Sequence, residues 1–237
     1  KFIRSYGFDE IALVPSTVTL DPDVVDISTS IAGIKLDIPV IGSAMDSVVS
    51  PETACLLGKY GAMGVLNLEG VQTRYENPKE ILKKISDCPK DSYVDLMQEL
   101  YKEDVKEEYV IARIKEIQDN GGPTVVSSTP QRADYLGDIA NDLNIDAFVV
   151  QSTVVSTKHK TANGHKPLDL SALCDRLSIP VMVGNSATYD VTLSLMETGV
   201  QGIFVGIGPG AACTTRGVLG IGVPMASSIS DAVQARN

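Results

Sequence analysis

The segment Gly206-Ile-Gly-Pro-Gly-Ala-Ala-Cys213-Thr-Thr-Arg216 places a thiol among groups that could activate it. Its glycines allow backbone conformations that other residues avoid, and they let the chain come close to a ligand. A thiol beside N–H dipoles and the Arg216 guanidinium is expected to have a lowered pKa and to act as a nucleophile. Cys213 is therefore a candidate nucleophile, with a small buried apolar residue as the alternative interpretation of a lone cysteine.

The other three cysteines, Cys55, Cys88 and Cys174, lie far apart in the sequence. No CxxC or His-paired spacing is present, which argues against a zinc site and against a disulfide scaffold. The surroundings of Cys55 and Cys174 predict that these two thiols pack as small hydrophobic side chains. This use of cysteine favours a reducing compartment, so we expect a cytoplasmic protein.

Composition limits the classes of partner. The 237 residues are 43% hydrophobic and 21% charged, which is typical of a globular protein with a substantial core. The formal net charge of −10, with no stripe of Lys or Arg to offset it, would repel nucleic acid. No apolar run approaches the roughly 20 residues that span a bilayer, and residues 1–10 lack the apolar core of a signal peptide. We therefore expect no nucleic acid and no membrane as partner, whereas backbone N–H groups could still hold a small anionic ligand.

Six short runs of apolar and β-branched residues predict buried strands, because hydrophobicity is continuous rather than alternating along them. These runs are residues 39–43, 63–68, 124–127, 147–151, 181–184 and 202–206. Helical patterns lie between them at residues 50–59, 131–143, 168–177 and 189–198, with Ser50 as a predicted N-cap. The repeat of strand, loop and helix fits either a doubly wound sheet or a (β/α)8 barrel.

A long charged segment, residues 76–118, interrupts this repeat between the second and third runs. Its helical periodicity predicts a pair of surface helices, part of which could contact a neighbouring subunit. Within it, the charge run from Lys102 to Glu108 is interpreted as a solvated helix face. The sequence reaches Asn237 in the start of a helical pattern after six predicted strands, whereas a barrel needs eight.

Further polar residues follow the predicted strand ends. His159 and His165 lie in a polar loop after the fourth strand, interpreted as solvated, with contact to a cofactor's phosphates as the alternative. Asp46 and Glu69 end strands on the same face, where each could contact a ligand or satisfy the loop backbone. The sequence alone leaves both alternatives open.

The glycine-rich loop by itself is also compatible with a dinucleotide-binding fold. It follows the sixth strand and not the first, and no acidic residue stands about 20 residues further on, which disfavours a Rossmann fingerprint. The loop instead closely resembles the catalytic loop of the IMP dehydrogenase/GMP reductase family. Further segments match in the family's order, namely residues 41–46, 183–188 and 199–206, and the leading segment 6–15 fits as well.

The resemblance implies a (β/α)8 TIM barrel, of which residues 1–237 supply about the first six strands as a single, incomplete catalytic domain. The site would lie at the C-terminal face of the barrel. The charged insert is too short for the paired CBS modules that dehydrogenases often carry there, so the chain resembles the dehydrogenase-related branch without them. The last two strands and a mobile flap are expected beyond Asn237.

The resemblance also implies a reaction. Cys213 would attack carbon 2 of the purine and form a covalent thioimidate, and Thr215 would help to handle the proton of water or leaving group. A dehydrogenase converts IMP, NAD+ and water into XMP and NADH. The alternatives are a GMP reductase, which converts GMP and NADPH into IMP and ammonia, a catalytically silent nucleotide-binding homologue, and a flavin-dependent barrel oxidoreductase.

The matching motifs imply the residues that contact the nucleotide. Ser43, Met45 and Asn185 match positions that touch the purine nucleotide, IMP or GMP. Ala211 stands where the dehydrogenases usually carry a phosphate-binding serine, so one hydroxyl contact is lost.

The same motifs imply sites for a cofactor and a cation. Gln151 stands where the fourth strand usually ends in an aspartate that contacts the dinucleotide, NAD, or NADP in a reductase. Thr153 and Gly206 are the other candidate cofactor-binding residues. The backbone carbonyls implied for a monovalent cation, K+ in the dehydrogenases, are those of Gly208, Gly210 and Cys213. The family also implies a homotetramer.

Overall fold

The computed structural model describes residues 3–158, 167–211 and 213–237, which form two compact units. The unit that we call the insert unit comprises Ser28–Val150 and Leu177–Val181. The unit that we call the loop unit comprises Lys1–Ile27, Gln151–Arg176 and Met182–Asn237. Each contains parallel strands joined by helices.

The insert unit begins with a short antiparallel hairpin, β1 (Thr29–Ile31) and β2 (Ile34–Leu36). Four parallel strands follow in chain order: β3 (Ile41–Gly42), β4 (Met63–Asn67), β5 (Val125–Ser128) and β6 (Ala147–Gln151, of which Gln151 belongs to the loop unit). All of β5 is buried, and β4 is buried except for Asn67 at its end. Both strands are therefore buried on both faces, as their continuous hydrophobicity predicts. Four of the predicted strands are thereby confirmed, and the hairpin is an addition.

Five helices accompany these strands: α1 (Pro51–Lys59), α2 (Pro78–Ser86), α3 (Tyr93–Leu100), α4 (Glu107–Asp119) and α5 (Ala133–Asp142). The charged insert therefore forms three helices, and the predicted pair of surface helices is wrong. The last of them, α4, packs against α1 and buries Val110, Ile114 and Ile117 completely. No helix in the described parts of the chain is long and apolar enough to cross a membrane.

The interpretation of the charge run from Lys102 to Glu108 as a helix face is also wrong. The run follows α3, and only Glu107 and Glu108 belong to α4, so most of it is a connecting loop. The Lys106 amide donates to the Thr73 carbonyl at 2.9 Å, and the Glu103 carbonyl accepts a hydrogen bond from Arg74. These contacts tie the loop to the segment after β4 instead of leaving it on a solvated helix face.

The loop unit contains α6 (Leu170–Arg176), β7 (Val181–Ser186, of which Val181 belongs to the insert unit), α7 (Tyr189–Met196), β8 (Gly202–Val205), α8 (Thr215–Leu219) and α9 (Met225–Arg236). β7 and β8 are parallel, and α7 packs against α9. Two hydrogen bonds join the N-terminal segment to α9: the Tyr6 amide donates to Ser227 Oγ at 2.8 Å, and the Ser227 amide donates to the Tyr6 carbonyl at 3.2 Å.

Strand order decides between the two folds that the repeat allows. Within each unit, consecutive parallel strands are neighbours in chain order, with helices in the crossovers. A doubly wound sheet reverses its strand order at a switch point, whereas a barrel adds each new strand on the same side. The β/α steps from β3 to β8 therefore follow the order of a (β/α)8 barrel, and this fold class is confirmed for six of its strands.

Ser50→Ala is expected to lower the free energy of unfolding by about 1 kcal/mol, because Ser50 caps α1. The Thr53 amide donates to Ser50 Oγ at 3.2 Å, and the Ser50 amide donates to Thr53 Oγ1 at 2.7 Å. Urea denaturation measures the change. Ser92→Ala is the matched control, because Ser92 precedes α3 without a capping hydrogen bond, and it should stay within about 0.5 kcal/mol of wild type. Equal losses in the two variants would contradict the assigned role of the cap.

Candidate functional site

The glycine-rich loop starts at Gly206, immediately after β8. The Gly206 amide donates to the Ser186 carbonyl at 2.7 Å, and Asn185 Nδ2 donates to the Gly206 carbonyl at 3.0 Å. Its φ of 126° is in the region that favours glycine, and an added Cβ would lie 3.0 Å from Met225 Sδ. Two strands and α9 therefore fix the point at which the loop leaves the sheet, and the Asn185 side chain is used in this anchoring.

The Arg216 side chain packs inside the loop, against two of its glycines. An added Cβ at Gly208, where φ is 71°, would lie 2.7 Å from Arg216 Cγ, and one at Gly222 would overlap the same carbon atom. The aliphatic part of Arg216 therefore packs against both glycines. The Val223 amide donates to the Ile207 carbonyl at 3.1 Å and joins the two ends of the loop. These contacts make Arg216 a packing residue of the loop.

Cys213 lies exposed at the far end of this loop. Its Sγ donates to Thr215 Oγ1 at 3.3 Å. The pKa of the Cys213 thiol is lowered, first by the Thr215 hydroxyl and second by the Thr215 amide, because both can donate to the thiolate. The expected direction is confirmed, whereas its expected dependence on Arg216 is corrected: the lowering comes from Thr215.

The remaining cysteines differ from Cys213 in the ways that matter for reactivity. Cys55 and Cys174 are partly buried, and burial raises the pKa of both thiols. Cys55 Sγ also donates to the Ile117 carbonyl at 3.7 Å, so it packs between α1 and α4. Of the four cysteines, Cys213 is the one that combines exposure with a lowered pKa. It is the thiol best suited to nucleophilic chemistry.

Thr215→Val is expected to slow the alkylation of Cys213 by iodoacetamide at neutral pH. The change removes the hydroxyl that stabilises the thiolate, so the pKa of Cys213 rises and the pH profile of alkylation shifts to higher pH. Mass spectrometry of the labelled peptide over a pH series measures the shift. Thr214→Val is the control, because its side chain makes no capping hydrogen bond to α8. A Thr215→Val profile that overlays wild type would contradict the assigned cause.

Within the loop unit, the residues that follow β6 lie beside β7. The Ser152 amide donates to the Gly184 carbonyl at 2.9 Å, and the Asn185 amide donates to the Ser152 carbonyl at 3.0 Å. Gln151 and Thr153 flank Ser152, and no described residue hydrogen-bonds to either of their side chains. Both side chains belong to the residues predicted to bind the cofactor, and that role stays a prediction. Ala211 lies exposed within the loop.

Ser43 and Met45 follow β3 in the insert unit. The Met45 amide donates to the Ser43 carbonyl at 2.8 Å, and the Met45 carbonyl accepts from the Val48 and Val49 amides at 2.9 Å each. The Met45 side chain is 54% exposed although it is large and apolar. An apolar side chain held out on a tight turn is suited to contact a flat, uncharged ring.

Asp46 and Glu69 both accept hydrogen bonds from backbone amides of the loops. Of the two roles predicted for them, this is the one that satisfies the loop backbone. Asp46 Oδ2 accepts from the Val71 amide at 2.9 Å. Glu69 Oε2 accepts from the Thr129 amide at 2.5 Å, and Arg132 Nε lies 3.6 Å from Glu69 Oε1. These carboxylates fix the segments that follow β4 and β5.

The carbonyls predicted to hold a monovalent cation are those of Gly208, Gly210 and Cys213. Backbone carbonyls are the ligands by which proteins select K+. The Gly210 carbonyl accepts from the Cys213 amide at 3.0 Å, and its second lone pair stays available. No donor among the described residues contacts the other two carbonyls. These carbonyls are oxygen donors of the kind that K+ takes as ligands, and the cation site stays a prediction. His159, His165 and Ala212 lie outside the described residues.

The family comparison decides what kind of protein carries this loop. Residues 5–237 match the model of the IMP dehydrogenase / GMP reductase domain. The chain belongs to the IMP dehydrogenase/GMP reductase family. An uncharacterized oxidoreductase of Mycobacterium tuberculosis is 35% identical over 239 residues, which cover 98% of this chain and 64% of the relative. The inosine-5'-monophosphate dehydrogenase of Cryptosporidium parvum is 29% identical over 232 residues, which cover 95% of this chain and 57% of that enzyme.

A crystal structure from the same family supports the fold. The IMP dehydrogenase/GMP reductase-like protein of Corynebacterium glutamicum superimposes with a TM-score of 0.89 at 30% identity, over 98% of this chain and 62% of that chain. The chain thus spans less than two thirds of the length of these relatives. No CBS module is evident in its 237 residues. The strand order and this neighbour together confirm a partial TIM barrel of the IMP dehydrogenase/GMP reductase type.

Proposed function

We propose that this protein is a purine-nucleotide oxidoreductase that converts IMP, NAD+ and water into XMP and NADH through a covalent bond to Cys213. The observation that carries the proposal is the exposed Cys213 thiol, whose pKa Thr215 lowers, on a loop anchored at the end of β8. The end of a barrel strand is where this fold keeps its catalytic residues.

The first step is nucleophilic attack. The Cys213 thiolate adds to carbon 2 of the purine and forms a carbon–sulfur bond, and the hydride on that carbon leaves with its electron pair. Bound NAD+ would supply the hydride acceptor. The result is a thioimidate on Cys213, which divides one difficult displacement into two easier steps.

Hydrolysis completes the cycle. Water adds to the carbon bonded to sulfur, the carbon–sulfur bond breaks, and Cys213 leaves as a thiolate. Thr215 Oγ1 lies 3.3 Å from Cys213 Sγ, so its hydroxyl is within reach of the atoms that react. It can relay the proton that water loses, and it donates to the departing thiolate.

Binding roles follow for the surrounding residues. We assign the purine nucleotide to Ser43, Met45, Asn185 and Ala211, and the dinucleotide to Gln151, Thr153 and Gly206. The carbonyls of Gly208, Gly210 and Cys213 would hold K+, which would stiffen the loop that carries the thiol. We also propose that the protein works as a homotetramer in the cytoplasm.

Paired assays on the full-length protein test the reaction. IMP with NAD+ is expected to raise absorbance at the reduced-nicotinamide band, whereas GMP with NADPH should leave that band unchanged. Consumption of NADPH with GMP would replace the proposal by a GMP reductase. Binding of IMP or GMP by calorimetry without turnover in either assay would indicate a silent nucleotide-binding homologue. A yellow purified protein would instead point to a flavin-dependent oxidoreductase.

A further inference from the structure

One side chain of the charged insert, residues 76–118, contacts the segment that follows β3. Tyr101 stands directly after α3, and its hydroxyl donates to Asp46 Oδ2 at 2.5 Å. The two residues are 55 positions apart in the sequence, and Asp46 is the immediate neighbour of Met45. This hydrogen bond is therefore a direct link between the insert and the turn that carries Ser43 and Met45.

The Asp46 carboxylate has few hydrogen-bond donors besides Tyr101. Its Oδ2 has two donors, the Tyr101 hydroxyl and the Val71 amide at 2.9 Å. Its Oδ1 is buried and has no hydrogen-bond partner among the described residues. An added Cβ at Gly70 would overlap Oδ1, so the backbone closes off that side. Loss of the Tyr101 hydroxyl would leave a single donor on a partly buried charge, which is costly.

Tyr101 is itself held in place. Arg74 Cζ lies 5.1 Å from the centroid of the Tyr101 ring, and Arg74 Nη1 donates to the Tyr101 carbonyl at 3.3 Å. Burial first, and the hydrogen bond to Asp46 second, raise the pKa of Tyr101 well above its usual value. Both effects favour the protonated hydroxyl, which is the form that donates to Asp46.

We propose that Tyr101 is a positioning residue that acts through Asp46 to hold the turn 43–46 in the arrangement that binds the purine nucleotide. The inference rests on the proposed roles of Ser43 and Met45 in that binding. The turn is short, with the Met45 amide bonded to the Ser43 carbonyl at 2.8 Å, so a displaced Asp46 would carry Met45 with it. The insert thus sets nucleotide affinity without contacting the nucleotide.

Tyr101→Phe in the full-length protein tests this role against Tyr75→Phe. Tyr75 donates its hydroxyl to the Leu100 carbonyl at 2.8 Å, so it also anchors the insert but does not contact Asp46. Calorimetry with IMP is expected to show a Kd about 10-fold higher for Tyr101→Phe, the size expected for one hydrogen bond to a charged group. Tyr75→Phe should keep the wild-type Kd. No change in Tyr101→Phe, or an equal change in both variants, would overturn the inference.

Hydrogen exchange without nucleotide gives a second, independent readout. Tyr101→Phe is expected to speed exchange at the Met45, Val48 and Val49 amides, which form the turn, and Tyr75→Phe should leave them unchanged. If wild type binds neither IMP nor GMP, the proposed function fails, and exchange still decides whether Tyr101 holds the turn. Unchanged exchange in Tyr101→Phe would overturn the inference even where the proposed function stands.

Discussion

Cys213→Ser is expected to reduce kcat for IMP oxidation by at least about 10³-fold, because a serine hydroxyl at the same position stays protonated and attacks poorly. The Kd for IMP should change little, since the thiol is exposed at the end of the loop and Thr215 remains beside the new hydroxyl. Steady-state kinetics and calorimetry separate the two effects. Mass spectrometry of wild type during turnover should also detect a nucleotide adduct on the Cys213 peptide.

Cys88→Ser is the matched control, because Cys88 lies between α2 and α3 and has no role in the proposed chemistry. It is expected to keep wild-type kcat. A Cys213→Ser protein with full turnover would exclude the covalent mechanism. If Cys213→Ser kept full turnover and Cys88→Ser lost it, Cys88 in the insert would become the candidate nucleophile.

Gly208→Ala is expected to lower kcat by about 10²-fold, the size of effect produced when a catalytic group is displaced by roughly 1 Å. Its φ of 71° favours glycine, and the new Cβ would lie 2.7 Å from Arg216 Cγ and 3.1 Å from the Ile221 carbonyl oxygen. Arg216 must move to make room, and Arg216 directly follows Thr215 in α8. The displacement should therefore reach the Cys213–Thr215 pair.

Gly220→Ala separates backbone strain from this collision. Gly220 has a φ of 68°, close to that of Gly208, but an added Cβ there would meet no atom within 4 Å. Each substitution should destabilise the fold by about 1–2 kcal/mol through its left-handed backbone, as measured by urea denaturation. Only Gly208→Ala should also lose turnover. Equal losses of kcat in both variants would show that backbone strain alone disturbs the loop.

Much of the barrel could be predicted from the sequence because strands such as β4 and β5 are buried on both faces. Residues 63–68 and 124–127 read as continuous apolar runs, and β4 and β5 lie there. The hairpin of β1 and β2 was missed because its two turn residues are Ala32 and Gly33. Both have positive φ, of 50° and 81°, but such a turn is recognised in sequences by Asn-Gly or Asp-Gly.

The loop that carries Cys213 could be found from its glycines and its thiol, but the cause of the lowered pKa could not. Charge suggested Arg216, whereas the local geometry brings the Thr215 hydroxyl to Sγ and packs the Arg216 stem against two glycines. Two other contacts of the site could not be predicted, because the residues that make them are far apart in the sequence. Met225 beside Gly206 and Tyr101 beside Asp46 carry no local signal, since each pairing exists only after the chain has folded.

The two hydrogen bonds between Tyr6 and Ser227 have a consequence for synthesis of the chain. They join residues 221 positions apart, so they cannot form until Ser227 has left the ribosome. At typical translation speeds of roughly 5–20 residues per second, the N-terminal segment waits on the order of ten to forty seconds for its partner. Leu13 and Val14 remain exposed even in the folded chain, at 94% and 90%. Until Ser227 has been synthesised, the segment around Tyr6 therefore lacks both of these hydrogen bonds.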